Sequence, residues 1–286
     1  MDLHHLPLEF ASASGTVRWT KFGSGPPMVF NHGTPFSSFV WRDIAQSFSS
    51  THTVYLWDMP GYGQSDMYDN QDVSLGAQGH IFTALLASWG LQDENHDNSQ
   101  QQLPIVIAHD FGGCVALRAR LLHGAKYKAL ALVDPVAMAP WGSPFFRLVR
   151  DNAHVFTQLP PELHRGLIRE YIAGSSHQTL HPQALDALVA PWVTVAGRAA
   201  FYRQIAQADQ RYTDEIETRY AELTGPVMVC WGTDDAWIPL ERGRELARRI
   251  PGVALKEIPG AGHLVQLDKP AQLTGLLTQF VNDLYR

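Results

Sequence analysis

The chain has 286 residues, enough for one large domain with room for an inserted subdomain. Its 45% hydrophobic and 17% charged residues suit a globular enzyme. A formal charge of −6 supplies no basic field, which argues against nucleic acid or an anionic membrane as a partner. The opening "MDLHHLPLEF" lacks the basic end and long apolar run of a signal peptide. No apolar run is long enough to span a bilayer. Cys114 and Cys230 both fall in apolar segments, so the expectation is a cytoplasmic protein with two buried free thiols.

In chain order, "GTVRWTKFGSG" alternates and predicts an outer antiparallel strand. Apolar runs follow at "PPMVFNHG", "HTVYLWDMPG", "LPIVIAHD", "KALALVDPV", "GPVMVCWG" and "VALKEIPG". Helix-like segments lie between most of them: "SSFVWRDIAQSF", "SLGAQGHIFTALLASWG", "CVALRARLLH" and "LERGRELARRI". The chain closes on "AQLTGLLTQFVNDLYR". Near-continuous apolar strands alternating with helices predict an α/β fold with a mostly parallel sheet covered on both faces. The polar stretch Asp93–Gln102 reads as a solvated loop. The alternation breaks at 136–223, where the pattern is helical and punctuated by Pro140, Pro144, Pro160, Pro161, Pro182 and Pro191. The expected organisation is therefore a core of 1–135 and 224–286, with 136–223 inserted as a helical lid. Ligands of parallel sheets bind outside the carboxyl ends of the strands, where such a lid would sit.

The chemistry concentrates at four strand ends. "IAHDFGGC" sets Asp110 on the turn between a buried strand and a helix, flanked by small residues, which is the context of a nucleophile elbow. A carboxylate there is a poor transacylase, because its acyl product would be a reactive anhydride. It can displace a leaving group from an sp3 carbon, giving an alkyl ester that water must then cleave. Aspartate also favours helix N-caps, but a cap alone leaves the partners downstream unexplained. In "NHGTPFSSFVWR" the Thr34 backbone N–H can point at the same space as that of Phe111, forming an oxyanion hole for ester hydrolysis. "WGTDDAWIPLERG" places Asp235 after a strand, and "IPGAGHLVQLDKP" places His263 after a glycine-rich turn. The order Asp110, Asp235, His263 is nucleophile, acid, base. Asp134, at the end of "KALALVD", competes with Asp235 to orient His263. His177 and His181 have the spacing of a zinc helix, but Gln178 replaces the glutamate, so neither a metal nor a cofactor is expected. "DMPGYGQSD" lacks the phosphate-loop lysine and reads as a structural turn.

These four elements together resemble the α/β-hydrolase superfamily over essentially the whole core. "AHDFGG" and "HGTPFSSFVWR" resemble its epoxide hydrolase and haloalkane dehalogenase branch, whose nucleophile is aspartate. Two positions depart from the dehalogenases: Phe111 stands where they carry a halide-binding tryptophan, and Thr34 where one group carries asparagine. Fluoroacetate dehalogenases place arginines after the nucleophile, and none stands here. The resemblance to epoxide hydrolases implies lid tyrosines that donate to the epoxide oxygen. "GRAAFYRQ" matches the segment carrying one of them, with Tyr202 as the matching residue. Trp141 and His154 are further substrate-binding candidates, and the halide donors if the substrate is a haloalkane. The expected partners are a small, largely apolar substrate and water. A non-catalytic ligand-binding protein on the same fold is the reading from another class.

Overall fold

Eight strands build one sheet in the computed structural model, which describes residues 5–92 and 103–286. They are β1 (Leu8–Ser12), β2 (Gly15–Gly23), β3 (Pro27–Asn31), β4 (Thr53–Trp57), β5 (Ile105–His109), β6 (Ala129–Val133), β7 (Val227–Gly232) and β8 (Leu255–Ile258). The spatial order is β1-β2-β4-β3-β5-β6-β7-β8. β1, β2 and β4 pair antiparallel, and every pair from β4 to β8 is parallel. Asp93–Gln102, read above as a solvated loop, lies outside the described residues.

The residue patterns explain this arrangement. β3, β5 and β6 are buried at every position, as strands covered by helices on both faces must be. β2 is only partly buried, and it carries the sheet across to β1, an exposed edge strand that the apolar pattern does not reveal. The helices Leu75–Ser88, Phe111–Leu122, Leu240–Arg249 and Pro270–Asp283 occupy the segments read as helical. Cys114 and Cys230 are free and buried.

Register brings the site together. Asn31 of β3 pairs with Ala108 of β5, His109 with Val133 of β6, and Val133 with Cys230 of β7. The carboxyl ends therefore emerge side by side along one edge of the sheet. His32-Gly33-Thr34, Asp110, Asp134 and Asp235 leave it next to one another.

Between β6 and β7 the chain forms helices and connections only. Pro144, Pro161 and Pro182 each open a helix, at the position where a missing N–H costs nothing. Side chains tie this insert to the sheet domain at several points. The Trp192 indole N–H donates to the Pro35 carbonyl (2.7 Å), and Gln207 bonds the backbone at Gln71 (2.9 Å) and Val73 (2.7 Å). The most concentrated tie is Asp268. Its carboxylate accepts from the N–H groups of His177 (2.8 Å), Gln178 (3.2 Å) and Gly262 (2.7 Å), and from the Ser176 hydroxyl. Leu264 N–H adds a bond to the Ser175 carbonyl (3.0 Å). The middle of the insert is thus pinned to the loop that carries His263. Among the described residues, no single helix is long and apolar enough to cross a membrane.

Candidate active site

Asp110 follows β5 directly and opens the helix Phe111–Leu122 with φ 50° and ψ −122°. A non-glycine residue in this region is strained, and such strain concentrates at functional sites. The neighbours must be glycine for steric reasons. A Cβ on Gly33 would lie 2.3 Å from the Asp110 Cβ, and one on Gly112 would lie 2.3 Å from the His32 carbonyl oxygen. The small residues noted in the sequence therefore permit close approach of three chain segments.

The two oxygens of Asp110 have different surroundings. Oδ1 accepts the Thr34 N–H at 2.7 Å, and the Phe111 N–H also supports the carboxylate. Oδ2 lies 3.3 Å from His263 Nε2, off the line of a good hydrogen bond, so that nitrogen has no formal partner. His263 Nδ1 lies 2.8 Å from Asp235 Oδ2. Asp235 is anchored in turn, its Oδ1 accepting the N–H groups of Trp237 (2.7 Å) and Ile238 (2.9 Å). Asp110 is 3% exposed, Asp235 8% and His263 0%. Burial opposes charge on His263, but the carboxylates of Asp235 and Asp110 outweigh it and hold the imidazole well above its ordinary range. Burial likewise opposes ionisation of Asp110, and the close approach and charge of His263 overcome it, leaving the carboxyl below its ordinary value. Each group thus favours the charged form of the other.

Asp134, the competing carboxylate, does not bond His263. Its Oδ1 accepts the Gly232 N–H at 2.8 Å. Two further histidines brace the elbow in neutral form. His32 Nε2 accepts the Met59 N–H (2.9 Å), which leaves Nδ1–H to donate to the Gly33 carbonyl (2.9 Å). His109 donates from Nε2 to the His263 carbonyl (2.9 Å), and burial and the charge of His263 push its pKa down to about 3.

A narrow cavity opens above Asp110. Its wall is aromatic: Phe111, Trp141, Phe146, Tyr171 and Trp237 all line it, and Asp110 contributes the only charged side chain. Trp237 stacks between Phe36 (centroids 5.9 Å, 9°) and Tyr171 (4.5 Å, 12°), and it covers the ring of His263 at 5.1 Å.

The substrate-binding candidates fare differently from one another. Trp141 lines the cavity, but its indole N–H is spent on Thr213 Oγ1 (3.0 Å), so it offers a ring and no donor. His154 sits on an exposed face of the short helix Ala153–Phe156, outside the cavity wall. Tyr202 is fully buried inside the insert, and its hydroxyl lies 2.8 Å from His164 Nδ1, away from the cavity. Sequence reasoning missed Tyr171. It belongs to the helix Pro161–Ala173, its ring reaches the cavity, and its hydroxyl has no hydrogen-bond partner among the described residues. Burial and the charge of Asp110 raise its pKa, so it holds its phenolic proton beside the same cavity. His181 accepts the Gln183 N–H at a helix start, and His177 lies 3.8 Å from Asp234, so the zinc-like spacing is divided between separate tasks.

A strained strand-end turn at Asp110, a histidine loop and a carboxylate after β7, on an eight-stranded mostly parallel sheet, match the α/β-hydrolase fold. The profile of the alpha/beta hydrolase family matches residues 28–275, and the chain belongs to that family. It is a hydrolase. An α/β-hydrolase-fold protein from Burkholderia ambifaria superposes with a TM-score of 0.90 at 47% identity, covering 96% of this chain and 97% of that one. Haloalkane dehalogenase 2 of Mycobacterium bovis is 22% identical over 94% of this chain and 93% of its own length. The epoxide hydrolase CorEH shares the fold, with a TM-score of 0.73 at 18% identity over 97% of this chain and 98% of its own.

Proposed function

We propose that this hydrolase works through an alkyl-enzyme ester on Asp110 and opens a small, uncharged, largely apolar epoxide. The observation that carries the reading is the divided environment of the Asp110 carboxylate, one oxygen in the oxyanion hole and the other facing His263 and the cavity. In the first step Oδ2 attacks a ring carbon, the carbon–oxygen bond breaks, and the ring oxygen takes the proton of Tyr171. Esterification removes the negative charge of Asp110, so His263 loses half of what held its proton. That proton returns Tyr171 to the phenol through solvent. Neutral His263, oriented by Asp235, then takes a proton from water as hydroxide adds to the ester carbonyl. The oxyanion forms on Oδ1, where the Thr34 N–H already points, with the Phe111 N–H supporting the same carboxyl. Collapse expels the diol and restores carboxylate and imidazolium. In this reading 136–223 is a cap that closes the cavity over Asp110.

The aromatic wall and the lack of a cation on it support an uncharged substrate, because nothing there would neutralise a carboxylate. One observation favours haloalkanes as a second reading. The Trp237 indole N–H has no hydrogen-bond partner among the described residues, and its ring lies on the cavity wall. The two readings separate in one experiment. His263→Gln is mixed with a small aryl epoxide or a bromoalkane, and the intact mass is recorded. Epoxide chemistry gives protein plus the whole substrate on the peptide containing Asp110. Halide chemistry gives the alkyl adduct and free bromide. If neither probe labels Asp110, the alkyl-ester mechanism fails.

A further inference from the structure

Two buried carboxyls stand behind His263, and they are not equivalent. Asp235 receives two backbone N–H groups and the imidazole Nδ1. Asp134 is fully buried, and it receives one backbone N–H, from Gly232, on Oδ1. Its Oδ2 is buried without any donor. Gly232 touches both residues: its N–H binds the Asp134 carboxyl, and its carbonyl accepts the Asp235 backbone N–H at 3.3 Å. Asp134 is held in the left-handed region at φ 42°, the only non-glycine residue besides Asn70 and Asp110 with positive φ among the described residues. A buried oxygen with no donor is costly if it carries charge, and the Asp235 carboxyl is near enough to interact with it, so the two cannot both ionise cheaply.

We propose that Asp134 keeps its proton, donates it as a hydrogen bond to the Asp235 carboxylate, and so positions and tempers the acid of the triad. The assignment rests on the proposed triad but concerns only the resting enzyme. Asp235, with three donors, is the member that carries the charge. Asp134 supplies a fourth donor, which spreads that charge and weakens the pull of Asp235 on the imidazolium. The titratable groups facing Asp134 are Asp235, His263 and the Cys230 thiol. Burial first, and the charge of Asp235 second, hold the Asp134 carboxyl well above the usual carboxylate range, in the direction the geometry requires.

The test reads the imidazole of His263 by 15N NMR titration of the free enzyme, so it needs no substrate and survives failure of the epoxide reading. Asp134→Asn can accept from Gly232 and donate to Asp235, and asparagine tolerates the left-handed conformation. Asp134→Ala removes both bonds. If Asp134 is protonated, His263 in Asp134→Asn titrates where the wild type does, and in Asp134→Ala it titrates higher, because Asp235 has lost a donor. If Asp134 is ionised, both variants remove a negative charge, and the His263 pKa falls by ~1 pH unit or more in each. A fall in Asp134→Asn overturns the proposal even if Asp134→Ala does not fold. Infrared spectroscopy gives a second readout. The carbonyl stretch of a protonated carboxyl, present in the wild type at pH 7, disappears in Asp134→Asn. A wild type without that band also overturns it.

Discussion

Replacing one tyrosine hydroxyl in the insert should abolish rapid ring opening, and replacing another should not. In Tyr171→Phe the stack on Trp237 survives, because the ring is unchanged and only the hydroxyl is lost. A positioned donor to a developing oxyanion is worth ~10²–10³ in rate, roughly 3–4 kcal/mol. The alkylation rate should fall by that factor, while binding of a non-reacting apolar ligand changes little. Tyr202→Phe acts elsewhere. His164 Nε2 donates to the Trp192 carbonyl at 2.9 Å, and burial keeps the ring neutral, so Nδ1 is the acceptor of the Tyr202 hydroxyl. Losing that donor strands a buried acceptor at a cost of ~1–3 kcal/mol. Tyr202→Phe should therefore lower the melting temperature by several degrees, at ~2–4 °C per kcal/mol, and leave alkylation nearly intact. Rapid-quench mass spectrometry of the ester, in the His263→Gln background, measures the rates, and calorimetry measures the stability. A large rate loss in Tyr202→Phe beside an unaffected Tyr171→Phe would refute this placement of the proton donor.

Further outcomes follow from the same geometry. His263→Gln should accumulate the ester on Asp110 instead of turning over, and steady turnover in that variant would remove the base assignment. Asp235→Asn should slow ester hydrolysis by roughly 10²–10⁴ and spare alkylation, as single-turnover rates will report, since an amide cannot stabilise the imidazolium. The resting ion pair should show in the pH dependence of stability. Because the folded His263 pKa is raised, its contribution is complete below 6.5 and fades as pH rises through the folded value. Because the folded Asp110 pKa is lowered, its contribution is present above 3.8 and is lost as pH falls through the folded value. Asp110→Asn should move the His263 titration down by ~1 pH unit or more, which 15N NMR can follow; an unmoved imidazole would mean that Asp110 does not hold its proton. Asp268→Ala should strand three backbone N–H groups and lower stability by ~3 kcal/mol in denaturant unfolding, and a neutral result would mean that water replaces the carboxylate.

The parts of this molecule that could be read from sequence are those with local causes. Continuous apolar runs such as "PIVIAH" and "ALALV" can be stable only as strands covered on both faces, so the parallel core was legible. The elbow was legible because only glycines permit the approach of His32 and Gly33 to Asp110. β1 was not, because an exposed edge strand needs no apolar pattern. Tyr171 was not, because nothing local distinguishes it. Its neighbours Ile168 and Ile172 set the buried face of an ordinary amphipathic helix, and its place at the cavity comes from stacking on Trp237, 66 positions along the chain. Trp237 itself lies two residues after Asp235, inside a motif already singled out, and spacing alone gave no sign that its ring would roof the histidine. The resemblance to lid segments pointed to Tyr202, but a matched segment does not determine where a hydroxyl points once a histidine lies 2.8 Å away. Asp134 and Asp235 both end neighbouring strands, and only the partners of each carboxyl separate them.

Under the proposed mechanism, the unequal surroundings of the Asp110 oxygens would give the enzyme a material memory. If Oδ1 stays in the oxyanion hole and Oδ2 makes the ester, the oxygen that leaves with the first product was part of the protein, and water replaces it in Asp110. Each turnover then renews an atom of the enzyme itself. An enzyme molecule that has worked once in heavy-oxygen water should carry the record in its own mass, localised to a single side chain, after every trace of substrate has been washed away.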